Sequence, residues 1–163
     1  MPQVVLKLGD DVSTDTIYPG RYMATVLPAE TPPFAFADLT ELNARLRAGL
    51  LPAGSIVVAG RNFGCGSSRE QAVSCLAGHG LTIVARGFAR IFLQNAINLG
   101  LPVVAAPEIE ASPGDEIRIQ GAVVVNETAG KAYPVVALPP ARQAIIDAGG
   151  LIPYTRARLL SGA

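Results

Sequence analysis

The sequence is poor in the side chains that metal sites and nucleic-acid interfaces usually require. Its 163 residues include two cysteines, one histidine and no tryptophan, and 13 basic side chains balance 13 acidic ones. Without an excess or a run of like charge, we expect neither a nucleic acid nor an anionic membrane as a partner. No apolar run reaches the roughly 18 residues that a membrane span needs, and the first residues lack a secretory signal. We therefore expect a cytoplasmic protein.

The scarcity of thiols and imidazoles also limits metal chemistry. Cys65, Cys75 and His79 are the only such groups, so this chain cannot supply the four cysteines of an ordinary iron–sulfur site. We expect no cofactor on this chain, and any cluster must be held by another one. Cys75 and His79 lie four residues apart on a predicted helix and could share a zinc ion only if carboxylates completed the site. Packing on a helix face is the favoured interpretation.

Apolar runs and turn signals predict alternating strands and helices. The predicted strands span 4–6, 55–59, 81–85, 102–105, 116–119, 122–125 and 132–138, and the predicted helices span 39–48, 68–77, 88–98 and 140–148. The strand and helix order between residues 55 and 105 indicates a partly parallel sheet with helices packed against it. We predict a compact α/β domain with a mixed sheet, and an exposed, mobile loop at the proline-rich residues 26–34.

The sharpest local signal is Gly-Cys-Gly-Ser-Ser-Arg-Glu at residues 64–70, between a predicted strand and a predicted helix. One interpretation is structural: Ser67 and Glu70 have capping-box spacing, as do Asp38 and Glu41, and the glycines permit a tight turn. The functional interpretation is that backbone N–H groups, two hydroxyls and a guanidinium converge on one point. That point favours a carboxylate or a phosphate.

Other functions of a glycine-rich turn fit poorly. The lysine and glycine spacing of a Walker A loop are missing, and so are the third glycine and the downstream acid of a dinucleotide fingerprint. A serine hydrolase is also disfavoured, because His79 lies roughly 18 Å along the helix from Ser67 at 1.5 Å per residue.

Three motifs together resemble a known family. Asp-Val-Ser-Thr-Asp-Thr-Ile at 11–17, the 64–70 motif, and Phe-Ala-Arg-Ile-Phe at 88–92 occur in the order found in the mobile domain of the aconitase superfamily. The resemblance continues to Gly-Gly-Leu-Ile-Pro-Tyr-Thr-Arg at 149–156. It implies one swivelling-type β/β/α domain over residues 1–163, of the kind that some members carry as a separate small subunit.

The resemblance also implies roles for individual residues. Ser67 corresponds to the base that removes the proton next to a substrate carboxylate, and Ser68 and Arg69 correspond to residues that hold that carboxylate. Asp15 corresponds to an acid that orders the site. Gln71 replaces a histidine common in relatives, which puts only that side chain's role in doubt. In the family, a large subunit carries a 4Fe-4S cluster that acts as a Lewis acid on the substrate.

Elementary energetics agrees that a partner is needed. Ionising an alcohol at neutral pH costs on the order of 11–12 kcal/mol, whereas a helix N-terminus supplies at most about 2 kcal/mol. A dry interface and a metal-coordinated substrate would close part of this gap. We expect a heterodimer or heterotetramer with the large subunit, active as a hydro-lyase on a small dicarboxylate.

The stretch at residues 17–25 corresponds to the family's substrate-recognition loop. Homoaconitases tend to carry an arginine where this chain has Ala24, and Met23 and Ala24 offer an apolar surface that suits an alkyl group. Arg21 is either a further carboxylate contact or an exposed loop charge. We expect isomerisation of 2- and 3-isopropylmalate in leucine biosynthesis. The alternatives are dimethylmalate or homoaconitate chemistry, or a non-catalytic carboxylate-binding module.

Overall fold

A computed structural model describes residues 1–162 as strands and helices that alternate through most of the chain. The strands are β1 Val4–Lys7, β2 Ile56–Ala59, β3 Thr82–Ala85, β4 Val103–Ala105, β5 Ile117–Gln120, β6 Val123–Asn126 and β7 Lys131–Pro134. The helices are α1 Thr14–Ile17, α2 Thr40–Arg47, α3 Glu70–Ala77, α4 Arg90–Leu99, α5 Pro140–Asp147 and α6 Leu151–Leu160. Three short 3-10 turns, Gly20–Tyr22, Pro28–Glu30 and Pro32–Phe34, lie between α1 and α2.

A four-stranded parallel sheet forms the centre of the fold, in the order β1-β2-β3-β4. Parallel neighbours require crossover connections, which α3 provides between β2 and β3 and α4 provides between β3 and β4. The predicted α/β class, with a parallel sheet flanked by helices, is confirmed.

The antiparallel strands form a second sheet, in the order β5-β6-β7. Two isolated antiparallel bridges, Gln3 with Glu116 and Ala105 with Val136, join it to the outer strands of the parallel sheet. The sequence predicted a single mixed sheet. In the structure, the parallel and the antiparallel strands form two sheets, which these bridges join.

Alternate residues of β2 point into two apolar clusters on opposite faces of the parallel sheet. Val57 and Ala59 join the larger cluster against the helices, and Ile56 and Val58 join the smaller one against the three-stranded sheet. All four are buried because strands covered on both faces expose neither side of the pleat.

Several predicted boundaries differ from the structure. Helix α2 begins at Thr40 without a side-chain cap, because the carboxylate of Asp38 pairs with Arg21 instead. Helix α6 was not predicted: its sequence has no apolar face, and none of its residues is buried. The loop at 26–34 is mostly exposed, but Thr31 is fully buried within it.

Over residues 1–162, no helix combines the length and the apolar character that crossing a membrane requires.

Candidate active site

The predicted anion-binding loop follows β2 at the carboxyl end of the parallel sheet, where parallel α/β folds commonly place ligands. Gly64 has a φ of 85° there, and an added Cβ would lie 2.2 Å from Cγ of Phe92. Glycine is therefore required both by the backbone conformation and by the close approach of α4.

A second loop, just before α1, is hydrogen-bonded to the first. The N–H of Thr14 donates to the Cys65 carbonyl at 2.8 Å, and the Thr14 hydroxyl donates to the Ser67 carbonyl at the same distance. The N–H of Gly64 donates to the Val12 carbonyl at 2.7 Å. These bonds hold the segments 11–17 and 64–70, which the sequence singled out separately, against each other.

Ser67 and Ser68 are exposed ahead of α3, and within residues 1–162 neither hydroxyl makes a hydrogen bond. The predicted capping box between Ser67 and Glu70 is wrong: the helix starts at Glu70, Arg69 is its N-cap residue, and no side chain caps it. Because Ser67 lies too far ahead of the helix to cap it, its hydroxyl remains available for a ligand.

Arg69 is held by helix α1 and by the residue that caps its C-terminus. Its Nη1 donates to Asp15 Oδ1 at 2.9 Å and to the Tyr18 carbonyl at 3.0 Å, and its side chain is only 15% exposed. Its buried Nε has no acceptor in the described residues. The hydrogen bond from Arg69, and then that from the Gly20 N–H, keep the pKa of the Asp15 carboxyl below its ordinary value. Asp15 is thus ionised and orients the guanidinium.

An open cavity of about 710 Å³ lies beside these groups. Ser67, Ser68 and Arg69 line it together with the first residues of α4 and one arginine of α5. A second cavity, about 730 Å³, is lined mainly by apolar side chains of β4, the three-stranded sheet and α5, and by none of the predicted site residues. Of the predicted site residues, Ser67, Ser68 and Arg69 therefore line the first cavity and not the second.

The predicted recognition residues lie outside that cavity lining. Arg21 pairs with Asp38, with Nη2 and Oδ1 2.5 Å apart, and its guanidinium lies 4.7 Å from the centre of the Tyr22 ring. Met23 and Ala24 are exposed on the same turn. The Arg21 charge is therefore already engaged by an acid of this chain.

The zinc alternative for Cys75 and His79 is not supported. Cys75 is completely buried, which raises the pKa of its thiol, and Nε2 of His79 lies 2.7 Å from the Pro32 carbonyl oxygen. In the part of the chain that the structure describes, no three His, Cys, Asp or Glu side chains are grouped so that they could hold a metal ion.

Two further arginines line the cavity but were given no role from the sequence. Arg90 opens α4 and lay within the motif at 88–92, which could have identified it. Arg142 lies in the first turn of α5 and has no local signal, because only the tertiary fold brings it to the cavity.

Comparison with known proteins places these features in a family. Residues 48–108 match the family model described as the aconitase C-terminal domain. The 3-isopropylmalate dehydratase small subunit of Moorella thermoacetica is 45% identical over 90% of this chain and 89% of its own length. That of Thermodesulfovibrio yellowstonii is 41% identical over 95% and 93%.

Two other matches bear on substrate and fold. The 2,3-dimethylmalate dehydratase small subunit of Eubacterium barkeri is 38% identical, over 94% of both chains. The crystal structure of 3-isopropylmalate dehydratase from Methanocaldococcus jannaschii superposes with a TM-score of 0.86 at 36% identity, and covers 98% of this chain and 95% of that one. At this identity, the likeness extends beyond the fold alone.

Proposed function

Because this chain belongs to the family of 3-isopropylmalate dehydratase small subunits, we propose that it is the small subunit of a hydro-lyase that interconverts 2-isopropylmalate and 3-isopropylmalate. The reaction is a dehydration followed by rehydration, a step of leucine biosynthesis in the cytoplasm. The observation that carries this proposal is the open cavity in which two free hydroxyls lie beside one oriented guanidinium. These are the donors that a malate-type carboxylate requires.

Ser67 is the base of the proposed reaction. Its hydroxyl is exposed and free of hydrogen bonds within residues 1–162, so it can approach the carbon next to a bound carboxylate. Ser68 and Arg69 bind that carboxylate, and Nη2 of Arg69 makes no other hydrogen bond in the described chain. Asp15 orients Arg69 and does not itself contact the reacting atoms.

This chain does not fit an iron–sulfur cluster, because it has only two cysteines and Cys75 is buried in the core. We assign a 4Fe-4S cluster to the large subunit, where it would supply a Lewis acid to the substrate. The open side of the cavity supports the assignment of a partner, since an exposed serine in water is a weak base. Covering the cavity would exclude water and strengthen the interaction of every charge in it.

The recognition turn supports an alkyl-substituted substrate. Met23 and Ala24 offer an apolar, uncharged surface, and the ion pair of Arg21 with Asp38 holds the turn that carries them. This favours the second interpretation of Arg21, an exposed loop charge engaged within the chain, over a direct carboxylate contact. A pocket distinguishes substrates that differ by one methylene by only about 1–3 kcal/mol. The Eubacterium barkeri relative makes 2,3-dimethylmalate the second candidate substrate.

The test is anaerobic reconstitution of this chain with its cluster-bearing large subunit. Turnover of 2-isopropylmalate, 2,3-dimethylmalate and homocitrate is followed by the ultraviolet absorbance of the unsaturated intermediate. We expect the highest kcat/KM for 2-isopropylmalate and no turnover by either subunit alone. A higher kcat/KM for 2,3-dimethylmalate would select the second candidate. Turnover by this chain alone in metal-free buffer would contradict the proposed division of labour.

A further inference from the structure

The cavity beside Ser67 collects positive charge without any negative charge. Among the residues that the structure describes, its charged lining residues are Arg69, Arg90 and Arg142, and no aspartate or glutamate lines it. The protein as a whole has zero net charge. The excess of positive charge is therefore local to the cavity and does not reflect the composition of the whole protein.

Two of these charges are uncompensated. Arg69 is paired with Asp15, but Arg90 and Arg142 are exposed and form no ion pair or side-chain hydrogen bond within residues 1–162. Arg21 is also exposed but, unlike these two, it pairs with Asp38. Within residues 1–162, the Nη2 of Arg69 also makes no hydrogen bond.

The position of Arg90 is unfavourable unless an anion is present. It is the first residue of the ten-residue helix α4, which follows Ala89 without a side-chain cap and has no acid in its first turn. A cation at this end meets the positive pole of the helix and unpaired backbone N–H groups. An anion bound in the cavity would offset both, and a carboxylate is bound well by a guanidinium fork.

We propose that Arg90 and Arg142 form a second carboxylate subsite that binds the end of a four-carbon dicarboxylate remote from Arg69. This inference rests on the proposed function and deepens it: a dianion is held at one end by Ser68 and Arg69 and at the other by Arg90 and Arg142. The two arginines are specificity-determining residues, since a monocarboxylate has no use for the second subsite.

The first experiment measures kinetics in the reconstituted complex. R90Q, R142Q and the double variant are compared with wild type and with R47Q. The control removes an exposed arginine of α2 that lines neither cavity described above and forms no ion pair within residues 1–162. We expect KM for 2-isopropylmalate to rise about tenfold in each single variant and further in the double one, as for loss of a charge-assisted hydrogen bond. The effect on KM should exceed that on kcat, R90K should restore part of it, and R47Q should match wild type.

The second experiment is independent of turnover. The full chain is titrated with maleate and with acetate at low ionic strength, and binding is followed by the amide NMR signals of Ser67 and Ser68. We expect R90Q/R142Q to weaken maleate binding about tenfold or more and to leave acetate binding within twofold of wild type.

The outcomes separate the subsite from the proposed function. An unchanged KM in the double variant, an equal rise in R47Q, or maleate binding that is absent in wild type or insensitive to both arginines would overturn the subsite. If the wild-type complex does not turn over isopropylmalate while maleate binding depends on Arg90 and Arg142, the subsite stands and the substrate assignment fails. If the complex turns over isopropylmalate but neither KM nor maleate binding depends on Arg90 and Arg142, the substrate assignment stands and the subsite fails.

Discussion

Asp15 and Arg69, which are 54 residues apart in the chain, form an ion pair 2.9 Å long that joins the two loops of the candidate site. The same Asp15 oxygen accepts the N–H of Gly20 at 2.8 Å, at the start of the predicted recognition turn. One carboxylate therefore connects the guanidinium proposed to hold the substrate with the turn proposed to select it. A movement of that turn would displace Asp15 and change its hydrogen bond with Arg69, because Gly20 and Arg69 donate to the same Asp15 oxygen.

The ionisation of Asp15 should depend on Arg69. A carboxyl group whose pKa is lowered on folding stabilises the folded state above its unfolded pKa, and this contribution is lost as the pH falls through its folded pKa. The Arg69 hydrogen bond is the largest cause of the lowering, so Asp15 should titrate below its ordinary value of 3.8. Carbon-detected NMR of the side-chain carboxyl should show this in wild type, with the midpoint returning toward 3.8 in Arg69→Gln. The same midpoint in both proteins would show that the ion pair is not maintained in solution.

Ser67→Ala should remove activity without affecting the fold. Loss of a general base typically lowers the rate about 10²- to 10⁴-fold, and the exposed Ser67 hydroxyl makes no hydrogen bond to any of residues 1–162. We expect kcat of the reconstituted complex to fall by that factor while Tm stays that of wild type. Ser112→Ala is the matched control, because Ser112 is exposed and distant in sequence from the site. Substantial turnover by the Ser67 variant would remove the assignment of the base.

Sequence alone predicted the parts of this site that lie close together along the chain. Ser67, Ser68 and Arg69 are consecutive, and the strand before them and the helix after them carry strong local patterns. Arg142 could not be predicted in this way, because it reaches the cavity only through the packing of α5 against α4.

The capping errors have a common physical cause. At Asp38 the spacing is correct for a cap, but an ion pair with Arg21, 17 residues away in the chain, engages the carboxylate instead. Near Ser67, the backbone of Arg69 is still extended, so the helix begins at Glu70, which is too late for Ser67 to cap it. Local propensity predicts which groups are available, and tertiary partners decide which of them are used.

Gly64→Ala should destabilise the protein more than an alanine at another left-handed glycine. Both Gly64 and Gly114 have positive φ, at 85° and 93°, but only the Cβ at position 64 would collide with Phe92. The backbone conformation costs about 1–2 kcal/mol for a non-glycine residue, and overpacking adds about 1–3 kcal/mol. We expect urea denaturation to give a larger loss of unfolding free energy for Gly64→Ala than for Gly114→Ala. Equal losses of unfolding free energy would show that Phe92 and helix α4 can move to accommodate the added methyl group without a cost in stability.

The two cysteines should differ sharply in reactivity. Cys65 is partly exposed and lines the cavity, whereas Cys75 is fully buried and desolvation raises the pKa of its thiol. Because the thiolate is the reactive form, an aromatic disulfide reagent should label one thiol in the native protein and both after denaturation. Cys65→Ser should abolish the native reaction. A native rate that is equal for both thiols would contradict the burial of Cys75.

Thr31→Val should loosen the loop at residues 26–34. The Thr31 hydroxyl is 2.7 Å from that of Ser74 and donates to the Pro28 carbonyl at 3.0 Å, and both side chains are buried. Valine keeps the shape but leaves these groups short of partners, which costs about 1–3 kcal/mol. We expect lower stability and faster protease cleavage within 26–34 than in wild type. Thr155→Val, at an exposed position of α6, should change neither. Unchanged cleavage in Thr31→Val would mean that the hydrogen bond to Ser74 of α3 does not anchor the loop. The loop would then be mobile in solution, as the sequence predicts.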